Sequence, residues 1–117
     1  MDQNQGETLD VCPVKNYLEL YRLYEGYLQN GRRFQTQTYT PIDGRPIDVN
    51  AIKAKMLGIR GFILCLPDCR EKMMLYYRYL HGRSVEECAE LLDVSRRTAF
   101  RIAGKALEFA AHYYALR

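Results

Sequence analysis

The chain has 117 residues, of which 48% are hydrophobic, and its formal net charge is +3. This length suffices for one domain with a modest core that needs neither disulfides nor a structural metal, and the small charge does not by itself indicate nucleic acid. Because neither a basic-then-apolar leader nor an apolar run of about 18 residues is present, we expect a cytoplasmic protein without membrane partners.

The four cysteines do not suggest a disulfide framework, because an aliphatic-rich chain of this size needs no covalent cross-links. Cys65 and Cys69 have the wrong spacing for a zinc knuckle, span Pro67 and have no second pair of ligands. We therefore expect small buried hydrophobic side chains in a reducing compartment, no metal and no cofactor.

The first predicted helix starts at Pro13 and runs to a stop at Gly31. It is apolar on nearly every side, with one stripe at helical spacing formed by Val14, Tyr17, Leu18, Tyr21, Tyr24 and Leu28. Such a helix either packs inside the core or buries a second face in a partner. Core packing is the first interpretation, and a homodimer interface on the Tyr17, Tyr21 and Tyr24 face is the alternative.

Residues 33–49 interrupt the helical pattern with two prolines and an Asp43-Gly44 turn, which predicts a loop or a short irregular hairpin. Asp48 or Asn50 can then cap a second helix from about Ala51 to Leu66. One face of that helix carries Ile52, Met56, Ile59, Ile63 and Leu66. Three cations, Lys53, Lys55 and Arg60, lie largely off this face, and we interpret them as solvated or as auxiliary phosphate contacts.

A third helix is predicted from Pro67, with Asp68 and Glu71 complementing its dipole, to a stop at Gly82. Ser84 followed by Glu87 is a capping box that starts a fourth helix almost immediately. Its predicted apolar positions are Val85, Cys88, Ala89, Leu91 and Leu92.

Asp93, Val94 and Ser95 form the predicted turn to the last helix. Asp93 stands where a residue with positive φ is needed, Val94 fills the corner, and Ser95 caps the next helix. The positions predicted to pack inward from that helix are Ala99, Ala103, Ala106, Leu107 and Ala110.

Basic side chains gather at the start of the last helix. A helix-turn-helix places such a helix in the DNA major groove, where its first turns reach base edges and phosphates. The predicted DNA-binding residues are Ser95, Arg96, Arg97, Thr98, Arg101 and Lys105. The plain alternative is a solvated basic face on an ordinary helical hairpin.

The segment LPDCREKMMLYYRYLHGRSVEECAELLDVSRRTAF resembles region 4 of bacterial sigma factors, the module that reads the −35 promoter element. The resemblance rests on the leading LP, the RYL-G-S-EE-A-LL run and VS-RT, and it covers about the last 50 residues. It implies that Arg96, Arg97, Thr98 and Arg101 contact DNA, and that the helix from Pro67 is scaffold.

Three features depart from the sigma pattern. Asp93 replaces the usual turn glycine, and Phe100 and Ile102 stand at positions that are commonly polar. The run SRRTAFRIAGKAL is closer to small phage and mobile-element regulators of Gram-positive bacteria, of the late-gene or autolysin type. Phe100 could touch a thymine methyl group or pack on another helix. Gly104 suggests a close backbone approach or a bend.

We therefore predict an all-α bundle of about five helices ending in a sigma region 4-like helix-turn-helix. Residues 1–49 would form an N-terminal helical extension and loop, and residues 50–117 the helix-turn-helix domain. The expected function is sequence-specific transcriptional regulation as a homodimer on double-stranded DNA. Alternatives are a sigma mimic that binds RNA polymerase and a small terminase-like adaptor for phage DNA packaging. No pattern of catalytic residues suggests an enzyme.

Overall fold

Helices dominate the computed structural model, which describes residues 10–33, 38–39 and 47–116. The elements in chain order are α1 (Cys12–Arg33), β1 (Thr38–Tyr39), β2 (Ile47–Asp48), α2 (Val49–Leu64), α3 (Arg70–Leu75, continued by a π-helical turn over Tyr76–Leu80), α4 (Val85–Leu91) and α5 (Arg96–Ala115). The predicted all-α class is thus confirmed for the described residues.

The two short strands lie inside the segment predicted as a loop or an irregular hairpin. β1 and β2 pair antiparallel, with Thr38 opposite Asp48 and Tyr39 opposite Ile47. The predicted Asp43-Gly44 turn lies outside the described residues, as does the polar segment 1–9. The strands bring the chain to Asp48, whose carboxylate accepts a hydrogen bond from the backbone N–H of Asn50 at 3.0 Å. Asp48 is therefore the cap of α2, as one of the two predicted candidates.

The connection from α2 to α3 differs from the prediction at Pro67. Pro67 is not in the first turn of a helix, because α3 begins only at Arg70 with Cys69 as its cap. Lys72 stabilises the longer connection, since its ammonium group donates to the Leu64 carbonyl at 2.9 Å and to the Asp68 carboxylate at 2.8 Å. The same contact holds the pKa of the Asp68 carboxyl below its usual value.

The chain leaves α3 through a widened turn that the sequence pattern did not indicate. After the π-helical residues the backbone N–H of Arg83 donates to the Tyr77 carbonyl at 3.0 Å. Gly82 has a φ of +68°, as expected for the predicted helix stop. A Cβ at this position would lie 2.6 Å from Cζ of Arg22 on α1, but this is the far end of a flexible, exposed side chain that can move aside. The backbone conformation, rather than space, therefore favours glycine here.

Asp93 allows α5 to follow α4 after a single tight turn. Its φ is +58°, the backbone N–H of Val94 donates to the Ala89 carbonyl at 3.0 Å, and that of Asp93 donates to the Glu90 carbonyl at 3.2 Å. This pair of bonds is a Schellman motif with aspartate in the usual place of glycine. Val94 packs against the core at the corner, as predicted.

The core forms where α5 meets α1, α3 and α4. Three of the five predicted inward positions of α5 are buried, and Ile102 and Ala111 are buried with them. The buried set is Ala99, Ile102, Ala106, Ala110 and Ala111. Ala103 and Leu107 are half-buried against the same core. Ile102 was not among the predicted inward positions.

The tyrosine face of α1 packs within the molecule, in agreement with the core-packing interpretation. Tyr17, Tyr21 and Tyr24 are half-buried against the core cluster, in which Val14 and Leu18 of α1 are fully buried. The Tyr17 ring lies 5.8 Å from that of Phe62 and 5.1 Å from that of Tyr114. Because α1 shares this core with the later helices, the division at residues 49 and 50 stays a prediction.

Replacing Asp93 by glycine should stabilise the protein. A residue with a Cβ is strained at positive φ, so Asp93→Gly should raise the free energy of unfolding by about 0.5–1 kcal/mol after the larger backbone entropy of glycine is counted. Asp93→Ala should lower it, because alanine tolerates this region less well than aspartate. Urea unfolding of the three proteins measures both changes, and a less stable glycine variant would contradict the strain at this turn.

Candidate nucleic-acid interface

The side of α5 opposite the core carries the predicted DNA-binding cations. Arg96, Arg97, Arg101 and Lys105 are all exposed, while every third or fourth residue between them is buried. The helical period places Arg97 and Arg101 farthest from the core, with Arg96 on one flank and Lys105 on the other. The four positive charges therefore form one outward surface along the first three turns, hereafter the basic face of α5.

Ser95 and Thr98 form the cap at the start of this helix. The Thr98 backbone N–H donates to Ser95 Oγ at 3.1 Å, and the Ser95 hydroxyl donates to Thr98 Oγ1 at 2.9 Å. Ser95 is thus the predicted N-cap. The structure places Thr98 half-buried beside it rather than fully on the basic face, so its hydroxyl first serves the cap.

Arg96 is held by two neighbours that sequence reasoning missed. Its guanidinium lies 3.1 Å from the Glu86 carboxylate of α4, and its Cζ lies 5.7 Å from the centre of the Phe100 ring one turn along α5. The ion pair is exposed, so it contributes little to stability and mainly orients the side chain. Glu86 could have been foreseen only from the crossing of α4 and α5, which no local pattern encodes.

Phe100 belongs to the outward surface rather than to the core. It is 49% exposed and adjoins Arg96, with Arg97 and Gly104 on neighbouring positions of the helix surface. Phe100 was predicted either to touch a thymine methyl group or to pack on another helix. Its exposure shows that it is not buried against another helix of this molecule. An aromatic ring among arginines on one exposed face can stack on or touch a base while the cations contact phosphates.

The predicted close approach at Gly104 is not found within the described part of the chain. A Cβ built at this exposed residue meets no heavy atom within 4 Å, apart from the backbone of its own helix. Glycine in a helix interior costs about 1 kcal/mol relative to alanine. Intramolecular packing therefore does not explain the choice of glycine in the middle of the basic face.

Charge is segregated between the two helices that meet at the turn. α4 carries Glu86, Glu87 and Glu90, and its first two acids lie in the first turn, where they complement the helix dipole. The capping box is complete, with Ser84 N–H donating to Glu87 Oε1 at 2.9 Å and Glu87 N–H donating to Ser84 Oγ at 3.0 Å. Glu86, through its contact with Arg96, borders the basic face on one side and limits where a polyanion can lie.

The cysteines are not all buried, contrary to the prediction. Cys12 and Cys65 are exposed, Cys69 is half-buried and caps α3, and only Cys88 is buried; all four are free thiols. Burial in the α4 core raises the pKa of the Cys88 thiol. Among the described residues, no group of three or more histidine, cysteine, aspartate or glutamate side chains is arranged to hold a metal ion.

Comparisons with protein-family models, with curated proteins and with solved structures found no match to this chain. A search of the described helices found none long and apolar enough to cross a bilayer.

The thiols should differ sharply in reactivity. The thiolate is the nucleophile, so the raised pKa and the burial of Cys88 should leave it unmodified by an alkylating reagent at neutral pH while Cys12 and Cys65 react. Mass spectrometry of the alkylated protein after digestion gives the extent at each position, and unfolding in urea should expose all four. Equal labelling of Cys88 and Cys65 in the folded protein would contradict the packing of α4.

Proposed function

We propose that this protein is a sequence-specific DNA-binding transcriptional regulator in which α4, the Asp93 turn and α5 act as a helix-turn-helix. The observation that carries the proposal is the basic face of α5, four exposed cations on a helix whose opposite face is anchored in the core. A rigid element that presents arginines outward is suited to the major groove, which admits one α-helix.

The residues of the basic face divide between positioning and reading. Arg97 and Arg101 lie farthest from the core and would reach base edges or the nearest phosphates, where the guanidinium can bind bidentately. Lys105 would contact a phosphate as a point charge farther along the helix. Arg96, oriented by Glu86 and Phe100, would bind at the edge of the groove.

The order of caps favours this proposal over a solvated basic face on an ordinary hairpin. The capping box at Ser84, the Schellman turn at Asp93 and the Ser95 cap fix the start of α5 relative to α4. Such precision is expected where the first turns of a helix make directional contacts. The first alternative, a sigma mimic, would bind RNA polymerase instead of DNA, and the second, a packaging adaptor, would bind DNA for a different purpose. The resemblance of the sequence to sigma region 4 favours a role in transcription over DNA packaging.

Removing Arg97 and Arg101 should weaken DNA binding in a way that identifies each contact. Binding of wild type, Arg97→Ala, Arg101→Ala and the double variant to a DNA library would be measured across a salt series. A lost phosphate contact should make the slope of log affinity against log salt shallower by about one. A lost base contact should instead cost about 1–3 kcal/mol at its preferred sequence and relax the preference there.

Arg70→Ala is the matched control, because it removes the same side chain from an exposed position at the start of α3. It should leave the affinity and the salt slope close to those of wild type. Negligible DNA affinity of the wild type, or an equal effect of the control and the α5 substitutions, would reject DNA reading by α5.

Gly104→Ala should separate folding from DNA binding. Because a Cβ meets no other part of the described chain, alanine should raise the free energy of unfolding by about 1 kcal/mol. The same methyl group would stand between the basic face and the DNA, so affinity should fall although stability rises. Gly26→Ala on α1 is the control: its Cβ also meets nothing within 4 Å, and it should stabilise without changing affinity. Unchanged DNA affinity of Gly104→Ala would show that this turn does not lie against DNA.

A further inference from the structure

Phe100 is a feature of the basic face that phosphate contacts do not explain. Its side chain is 49% exposed, and its neighbours on the surface of α5 are Arg96, Arg97 and Gly104. Single exposed apolar side chains are common on protein surfaces, and Leu91 on α4 is one of them. Phe100 differs because cations surround it, so that its ring stands inside the surface that suits a polyanion.

Arg96 and Glu86 hold the Phe100 ring from one side. The Arg96 guanidinium lies over the ring, with Cζ 5.7 Å from the ring centre. The Glu86 carboxylate lies 3.1 Å from the same guanidinium. The cation is attracted to the face of the ring, and the carboxylate holds the cation from the neighbouring helix α4. These contacts limit how far the ring can turn.

Gly104 leaves the other side of the ring open. Side chains of a helix lean towards its N-terminus, so a side chain at position 104 would cover the surface beside Phe100, one turn earlier. A Cβ built at Gly104 meets no heavy atom within 4 Å, apart from the backbone of its own helix. Because Arg96 stands one turn before the ring and Gly104 one turn after it, the ring is accessible from its Gly104 side.

The partner of this ring follows from the chemistry of the major groove, and this step rests on the proposed function. In a DNA duplex the faces of the bases are stacked on one another, so a helix in the groove meets only their edges. Those edges carry hydrogen-bond donors and acceptors, which a phenyl ring would deprive of water without replacing it. The exception is the methyl group at C5 of thymine, which is apolar and projects into the groove.

We propose that Phe100 is a specificity-determining residue that packs on the C5 methyl group of a pyrimidine in the major groove. Thymine carries this group, and 5-methylcytosine carries the same group at the same place. Arg97, the neighbour of Phe100 one turn earlier, binds the polar edge of an adjacent base pair or the nearest phosphate. Glu86 acts through Arg96 and is a positioning residue for the ring.

Replacing thymine by uracil in the DNA tests this contact, because the two bases differ only by the methyl group. The full chain first selects its preferred duplex from a random library, and each thymine of that duplex is then replaced in turn. Burial of one methyl group is worth about fourfold in affinity, so one replacement under each bound α5 should weaken binding by about that factor.

Cytosine and 5-methylcytosine at the same position separate the two sources of the methyl group. A gain of similar size on methylation of cytosine supports reading of the methyl group on either base. An effect seen only between thymine and uracil supports reading of thymine alone.

Variants of Phe100 test whether this side chain makes the contact. Phe100→Ala should abolish the preference for thymine over uracil at that position and keep the salt slope of wild type, because no charge is removed. Phe100→Leu should keep part of the preference, since leucine retains an apolar side chain. Leu23→Ala is the matched control: Leu23 on α1 is also 49% exposed, and its replacement should leave the preference unchanged. Circular dichroism of each variant verifies that the fold is kept.

Glu86→Gln tests the positioning of the ring separately from the charge of the interface. Loss of the ion pair should release Arg96 and bring the ratio of thymine to uracil affinity closer to one. The same change removes a negative charge beside the basic face, so the overall affinity for DNA should rise. A merely structural defect would lower both quantities. An unchanged ratio overturns the positioning role of Glu86.

An affinity that no thymine replacement changes overturns the reading of a methyl group. A methyl effect that persists in Phe100→Ala also overturns the proposal and assigns the contact to another side chain, such as Thr98. If Arg97→Ala and Arg101→Ala weaken binding in the same experiments, the proposed function stands without this inference. Negligible DNA affinity of the wild type rejects the proposed function itself, and the inference with it.

Discussion

The structure depends on how closely three helices can approach α5. α1, α3 and α4 all pack against it, and the buried side of α5 is made mainly of alanine, at positions 99, 106, 110 and 111. Small side chains let helix axes come close, and the neighbouring helices supply the volume through Leu18, Met74 and Leu75. Apart from Ile102, which is buried, the larger side chains of α5 lie on its flanks and outer side. The basic face is thus a result of core packing as much as of charge.

That arrangement holds only if α5 begins at the right place, and the turn at Asp93 determines this. The Schellman bonds end α4, Ser95 starts α5, and Val94 fills the corner between them. The positive φ of Asp93 raises the free energy of the folded state locally, and the packing of the whole of α5 offsets this strain. An interface built on the first turns of α5 inherits its geometry from this turn, which is why the caps and the arginines have to be considered together.

Local sequence patterns predicted most of the elements because the determinants of helix ends are themselves local. The capping box at Ser84, the Ser95 cap and the stop at Gly82 each depend on residues within a few positions. The prediction at Pro67 was wrong for the same reason, because proline fits an extended linker as well as the first turn of a helix. Here the linker is stabilised by Lys72, which bridges the Leu64 carbonyl and the Asp68 carboxylate. The π-helical turn, the exposure of Cys65 and the Glu86–Arg96 pair depend on contacts between elements, which no local pattern contains.

The exposed faces of α5 and α2 differ because small residues lie on the buried side of α5 but on the outer side of α2. On α5 alanine lies inside, so cations and Phe100 are turned to solvent, where a polyanion can be met. On α2 the large aliphatic residues Ile59 and Ile63 are buried, and Gly61 and Ala54 lie outside beside Leu57. A glycine on an exposed helix face lowers helix stability without a compensating contact in the same molecule. Gly26, Gly61 and Gly104 all have open space at the Cβ position, so this property alone does not indicate a partner. At Gly104 the surrounding cations add a second observation, because they suit the polyanion of the proposed function.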